Sequence, residues 1–285
     1  MKERTFEATH GYKKVIDILT ELAMEEEYVF RGYSKQSELF PSIIREKDYR
    51  KIESKLLEAF ERYGSLYYSA SSPMDFMSYA QHFGLPTRLL DFTYNPFIAL
   101  SFAIYGKKGT NYKVLEDKDY YYLRYAMLND NLVTPGIVTR EDNYVGRIPY
   151  TDSYAEKAIR TVSITENAFL KNDEIALVSI GIRPNGDIKG EIEKMNNRTI
   201  LFVAPNQSNQ RIAMQQGLFM FPYDLDRESH LDIMERNTSV IRIHKGLRED
   251  LLEYLDTLGY NSFRLMPDLA SICSAVKNKA SEDRL

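Results

Sequence analysis

The chain has 285 residues, 44% of them hydrophobic and 27% charged, with a net charge of −4 and one cysteine. This is ordinary globular usage at a length that can bury a core, which excludes a disordered or collagen-like chain. The acidic balance excludes a uniformly basic nucleic-acid coat but leaves a local basic patch, and so nucleic acid, open. Cys273 alone cannot form an intramolecular disulfide, and its apolar surroundings predict a buried structural thiol. Four histidines, His10, His82, His230 and His244, lie scattered with no CxxC, so no metal is expected. The first residues lack an apolar signal core, and the longest apolar stretch, 97–105, is too short to span a bilayer. A cytoplasmic chain with no membrane partner is the expectation.

Val15, Ile18, Leu19 and Leu22 share one helical face, which predicts an amphipathic helix over 12–25. Tyr28-Val29-Phe30 reads as a short strand ending at Arg31-Gly32. Ile52, Leu56, Phe60 and Tyr63 mark a second helix. A third starts at Ser72-Pro73-Met74-Asp75, with Ser72 as cap, Pro73 at the first helical position and Asp75 completing a capping box. It should stop near Gly84. A short strand at 88–92 follows. Asn95-Pro96 then opens a helix that is apolar on nearly every side, hence buried, and that ends at Gly106.

Residues 107–165 are polar, tyrosine-rich and weakly periodic, densest at Tyr120-Tyr121-Tyr122. They read as a partly helical insertion over the core. Strands are expected at 175–180, 199–203, 218–221 and 239–243, with a turn at Pro184-Asn185-Gly186-Asp187. A helix from Leu247 to Leu258, a strand at 263–265 and a last helix after Pro267 make a helix-strand-helix ending over 246–280. The irregular mixing of strands and helices argues for a single α+β unit over 1–285, a central mixed or antiparallel sheet flanked by helices.

Three clusters place polar groups in apolar surroundings. In Phe30-Arg31-Gly32, Arg31 follows a rigid strand and its planar fork suits a phosphate or carboxylate. Gly32 leaves room for a ligand or another backbone. An internal salt bridge is the equal alternative for Arg31. The run from Gln81 to Pro96 carries His82 as a proton carrier or fixed donor, a candidate Arg88–Asp91 pair, and Thr93 just before a helix cap at Asn95. A hydrogen-bonded turn accounts for each of these singly; their clustering argues for a site. In the third cluster Arg211 can neutralise phosphate, and Gln215 and Gln216 offer uncharged donors and acceptors. They can equally satisfy backbone groups at a strand start.

The FRG at 30–32, the QH-x-G-x-PTRLLD-x-T-x-NP-x-x-AL-x-FA run at 81–103 and RI-x-x-QQG-x-F at 211–219 resemble the FRG domain family. The resemblance covers 25–105 well and 175–222 in outline. It implies a bacterial or phage-borne setting, anti-phage conflict included, but no defined activity. Arg31-Gly32, Thr93 and Ala99-Leu100-Ser101-Phe102-Ala103 also occur in the order of the first two motifs of ADP-ribosyltransferases. That resemblance implies a nucleotide ligand, NAD above all. Arg31 would hold the dinucleotide, Gly32 would present backbone to the nicotinamide amide, and Thr93 would brace the site. His82, Asp91 and Gln215 stand as catalytic candidates; Arg31, Gly32, Arg88, Thr93, Asn95, Arg211 and Gln216 stand as ligand-binding ones. The chain departs from that pattern where Gln215 and Gln216 fall at the catalytic glutamate's place. A glutamine lacks the charge that stabilises an oxocarbenium-like transition state. A non-enzymatic module that binds phosphate or an acidic partner, and a purely structural hydrogen-bond network, are the other two readings.

Overall fold

The computed structural model describes residues 3–25, 28–45, 49, 52–64, 66–68, 73–105, 119–127, 132–133, 202–204, 210–222 and 225–265 almost throughout, with four positions beyond. The sheet strands are β1 (Glu3–Phe6), β2 (Tyr28–Tyr33), β3 (Leu90–Thr93), β4 (Tyr120–Met127), β5 (Leu132–Val133), β6 (Phe202–Val203), β7 (Gly217–Met220) and β8 (Ser239–His244). The helices are α1 (Tyr12–Met24), α2 (Ser42–Arg45), α3 (Glu53–Gly64), α4 (Pro73–His82), α5 (Pro96–Tyr105), α6 (Gln210–Met214), α7 (Arg227–Asn237), α8 (Arg248–Thr257) and α9 (Ser262–Leu265).

The strands form one mixed sheet in the order β1-β8-β4-β2-β3-β7-β6-β5. β1 with β8 and β5 with β6 run parallel; the other neighbours are antiparallel. The α+β class expected from the sequence is therefore the class of the fold.

Alternation along the strands sends successive side chains to opposite faces. One face carries Phe30, Tyr121, Leu123, Tyr125, Ile241 and Ile243, and α1, α5 and α8 cover it. The other carries Val29, Tyr33, Leu90, Phe92, Tyr122 and Val240, and Leu39 with Ile233 and Met234 of α7 cover it. A third cluster joins Leu57, Phe76, Met77 and Ala80 of α3 and α4 to Leu89, Phe219 and Phe221.

The helix at 96 forms for the reason its sequence gives. Asn95 Oδ1 accepts from the backbone N–H of Phe97 at 2.9 Å and of Ile98 at 3.4 Å, and Pro96 occupies the first position. Its residues Ile98, Ala99, Leu100, Ser101, Ala103 and Ile104 are all buried, so α5 is the central helix. It lies directly on β2. A Cβ on Gly32 would stand 1.7 Å from the Ala99 carbonyl oxygen, so backbone meets backbone there.

β2 is held unequally by its neighbours. It pairs with β4 along its whole length, Tyr28–Tyr33 against Tyr122–Met127. Its ladder with β3 is the single pair Phe30↔Thr93. Two half-sheets thus meet at one register pair and diverge beyond it.

Several expectations are corrected. Tyr120–Met127 lies within the segment read as an insertion, yet it is a strand between β8 and β2. Its tyrosines and Arg124 look polar in sequence, but both faces of the strand are covered by helices. Residues 262–265 are helical rather than a strand. Cys273 is exposed, not buried. β1 and α7 had no counterpart in the sequence reading. The strand at 175–180, the turn at 184–187, Ser72, the Asp75 side chain and Gly106 lie outside the described residues.

Candidate functional site

Arg31 stands where the half-sheets part. It points to the face covered by α7, and the residue is 8% exposed. Its Nη1 donates to the Asp91 carbonyl oxygen on β3 at 2.6 Å, and Nη2 donates to the Glu38 carbonyl oxygen at 2.5 Å. The guanidinium therefore spans the opening between β2, β3 and the 3-10 turn Gln36–Leu39. Nε is buried with no hydrogen-bond partner. The Asp91 carboxylate comes only to 4.0 Å from Nη1, and its side chain is 62% exposed. Burial pulls the Arg31 pKa down to about 10, against the opposing field of Asp91.

Asp91 is oriented from the helix side of the seam. Gln81 Nε2 donates to Asp91 Oδ1 at 2.8 Å, while Gln81 Oε1 accepts a short hydrogen bond from the Thr87 hydroxyl. Ser42 closes this chain by exchanging hydrogen bonds with the Thr87 backbone at 3.0 and 3.1 Å. His82 ends α4 with its ring against the exposed Phe83, 4.8 Å between centroids.

A second group gathers one strand end away. The Thr93 hydroxyl donates to the Gln215 carbonyl oxygen at 2.8 Å and accepts from the Asn95 backbone N–H at 3.1 Å. Gln215 Nε2 donates to the Leu265 carbonyl oxygen at 2.8 Å. Gln216 adopts a positive φ of 46°, and its carbonyl accepts from the Tyr94 N–H at 3.0 Å. Asn95 Nδ2 reaches the Tyr260 hydroxyl at 3.1 Å. These residues fasten β3, α5, α6, β7 and α9 to one another.

Arg88 does not pair with Asp91. It is turned inward to Glu53 on α3, with Nε 3.1 Å from both carboxylate oxygens and Nη2 2.5 Å from Oε2. The reason is direction: two residues before β3 its side chain joins the α3–α4 cluster, with the guanidinium 5.5 Å over the Phe221 ring. Arg211 lies half-buried on α6.

The sequence candidates thus divide into Arg31 and Asp91 at the seam, the Thr93–Asn95–Gln215–Gln216 fastening, and the buried Arg88 pair. Gly32 serves helix packing. Glu53, Glu38 and Arg124 are the partners the reading of the clusters left out, and Gln81 opens the second run without a role assigned to it. Arg124 carried a signal, an arginine inside an aromatic run Tyr120–Tyr125. Among the described residues no group of three or more His, Cys, Asp or Glu is arranged to hold a metal ion. None of the described helices is long and apolar enough to cross a membrane.

An α+β protein built on a split mixed sheet, with an arginine at the split, is the class these features define. Residues 26–111 match the FRG domain family, and the chain carries an FRG domain. That span holds β2, β3, α5 and the seam, while Gln215 and Arg124 lie outside it. No curated protein and no solved structure matches the chain.

Proposed function

We propose that the chain binds a nucleotide, NAD or an ADP-ribose-type ligand, at the seam between its half-sheets, with Arg31 as the anion anchor. The observation that carries this reading is the state of Arg31. It is buried, its Nε is unpaired, its hydrogen bonds go to neutral carbonyls, and the nearest carboxylate stands 4.0 Å away. A buried guanidinium in that state is a poor structural device and a good anion receptor.

The likeness to ADP-ribosyltransferases draws support from adjacency. Arg31-Gly32, Thr93 and the α5 run sit on elements in direct contact, through Phe30↔Thr93 and Gly32 against Ala99. Transfer chemistry draws less. Gln215 spends its amide on Leu265, and a glutamine brings no charge to the glutamate's place. Binding is therefore the core of the proposal. A recognition module for phosphate or an acidic partner uses the same Arg31. Anti-phage conflict is the setting the family resemblance suggests.

The purely structural reading holds for Arg88, Asn95 and Thr93, whose partnerships are closed within the fold.

Calorimetric titration of the full chain with NAD and ADP-ribose tests the proposal. Saturable binding that weakens about tenfold or more in Arg31→Lys, which keeps charge but loses the fork, is expected. Absence of binding by the wild-type chain to either ligand overturns it.

A further inference from the structure

Arg31 has a second buried arginine directly across the ladder. Arg31 and Arg124 are register partners on β2 and β4, so their side chains leave the same face of the sheet. They are 8% and 7% exposed. Directly opposite residues of antiparallel strands hold their Cβ atoms about 4.5–5.5 Å apart, and like charges so placed destabilise the sheet.

The partners of Arg124 are as neutral as those of Arg31. Nε donates to the Tyr33 hydroxyl at 3.0 Å and Nη1 to the Thr238 hydroxyl at 2.8 Å. Among the described residues no carboxylate hydrogen-bonds either guanidinium. Both charges also act on one group. Burial raises the Tyr33 pKa, while Arg124 and Arg31 each pull it down, so the Tyr33 hydroxyl lies in the field of both.

Arg88 is the internal comparison. It is 8% exposed, like Arg31, and the fold supplies it with the buried carboxylate of Glu53. This chain therefore does furnish a counter-charge where an arginine is purely structural. Arg31 hydrogen-bonds carbonyl oxygens, with the exposed Asp91 carboxylate held off at 4.0 Å, and Arg124 hydrogen-bonds hydroxyl oxygens, so neither receives the close buried counter-charge that Arg88 has. Arg45 adds a third positive charge near Arg31, with its Nε and Nη2 on the Phe40 carbonyl oxygen at 3.2 and 3.1 Å.

We infer that the row Arg31–Arg124 is a subsite for a diphosphate carrying two negative charges in all, with Arg124 a ligand-binding residue outside the family match. The inference rests on the reading of Arg31 as ligand-facing. It goes further in naming the ligand's diphosphate, rather than its base or ribose, as the group recognised.

The test is calorimetric titration of the full chain with ADP, pyrophosphate and adenosine. ADP and pyrophosphate should bind and adenosine should not. Affinity for both should fall about tenfold or more in Arg124→Met and in Arg31→Met, and stay unchanged in Arg236→Ala on the α7 surface. Should Arg124→Met fail to fold, Arg124→Lys keeps the charge and removes the fork, and the same loss is expected. Nucleotide binding that needs Arg31 but ignores Arg124 overturns this inference and leaves the proposed function standing. So does NAD binding by a wild-type chain that pyrophosphate does not engage. Pyrophosphate binding lost with Arg124, in a chain indifferent to NAD and ADP-ribose, upholds the subsite and overturns the nucleotide reading.

Discussion

Glu53 and Arg88 form a closed ion pair inside the protein. The carboxylate of one helix receives three guanidinium hydrogen bonds from the residue two before β3, and the two residues are 2% and 8% exposed. Breaking one half strands the other charge in the core. Glu53→Gln is expected to cost about 3–5 kcal/mol, read by urea denaturation. The double variant Glu53→Leu/Arg88→Met should recover a large part of that loss, because well-packed apolar residues tolerate the site. A double variant no better than the single one would show that the pair contributes more than charge compensation.

Two glycines of the matched span should respond oppositely to the same change. Gly32→Ala puts a methyl group 1.7 Å from the Ala99 carbonyl oxygen, a contact with backbone that no rotamer relieves. No folded protein is expected from it. Gly84→Ala meets open space but must hold a φ of +92°. Its cost should be about 1–2 kcal/mol, the strain of an L residue in that region. Soluble expression and thermal melts separate the two.

Alkaline stability should carry the mark of Tyr33. Burial holds its phenol above the ordinary 10.0, so above that pH the unfolded chain releases a proton that the folded chain keeps. Stability from this group is complete below about pH 10 and falls as pH rises toward the folded value. Arg31 works in the opposite sense. Lowered to about 10, it gives up its proton in the folded chain first, which relieves its burial cost at higher pH. Tyr33→Phe should be less stable at neutral pH, having lost the acceptor for Arg124, yet decline less steeply between about pH 9 and 11. Parallel melting curves for wild type and variant across that window would refute the assignment.

Cys273, the one cysteine of the chain, is exposed. Ellman's reagent should titrate one thiol in the native protein without denaturant. A thiol that reacts only after unfolding would restore the buried role its apolar neighbours suggested.

The sequence made legible what local chemistry decides. Asn95-Pro96 reads as a helix start because a capping oxygen and a fixed φ act within four residues. α1 reads from the spacing of Val15, Leu19 and Leu22, all buried in the fold. β4 is hidden because a strand buried on both faces shows no alternation of polar and apolar residues, and because tyrosine and arginine in sequence suggest a solvent-facing segment. Residues 263–265, three side chains, are too few for either period to show, and the fold makes them helical. α7 was missed because its buried residues, His230, Ile233 and Met234, are few among charged ones. At the site, Arg31 was found from the strand that presents it. Arg124 and Glu53 were not, since only the pairing of β2 with β4 and the packing of α3 bring them near.

The lone pair Phe30↔Thr93 sets where the sheet opens most easily. β2 and β4 form one cooperative ladder and β3 and β7 another, Leu90–Thr93 against Gly217–Met220. Hydrogen exchange should therefore divide the protein along that line, with amides of each ladder protected as a group. Arg31, bonded to a carbonyl on the far side, is the latch across the boundary. A ligand that draws the guanidinium away from Asp91 would loosen the joint as it binds, so occupancy would be felt in the amides of β3 before any others.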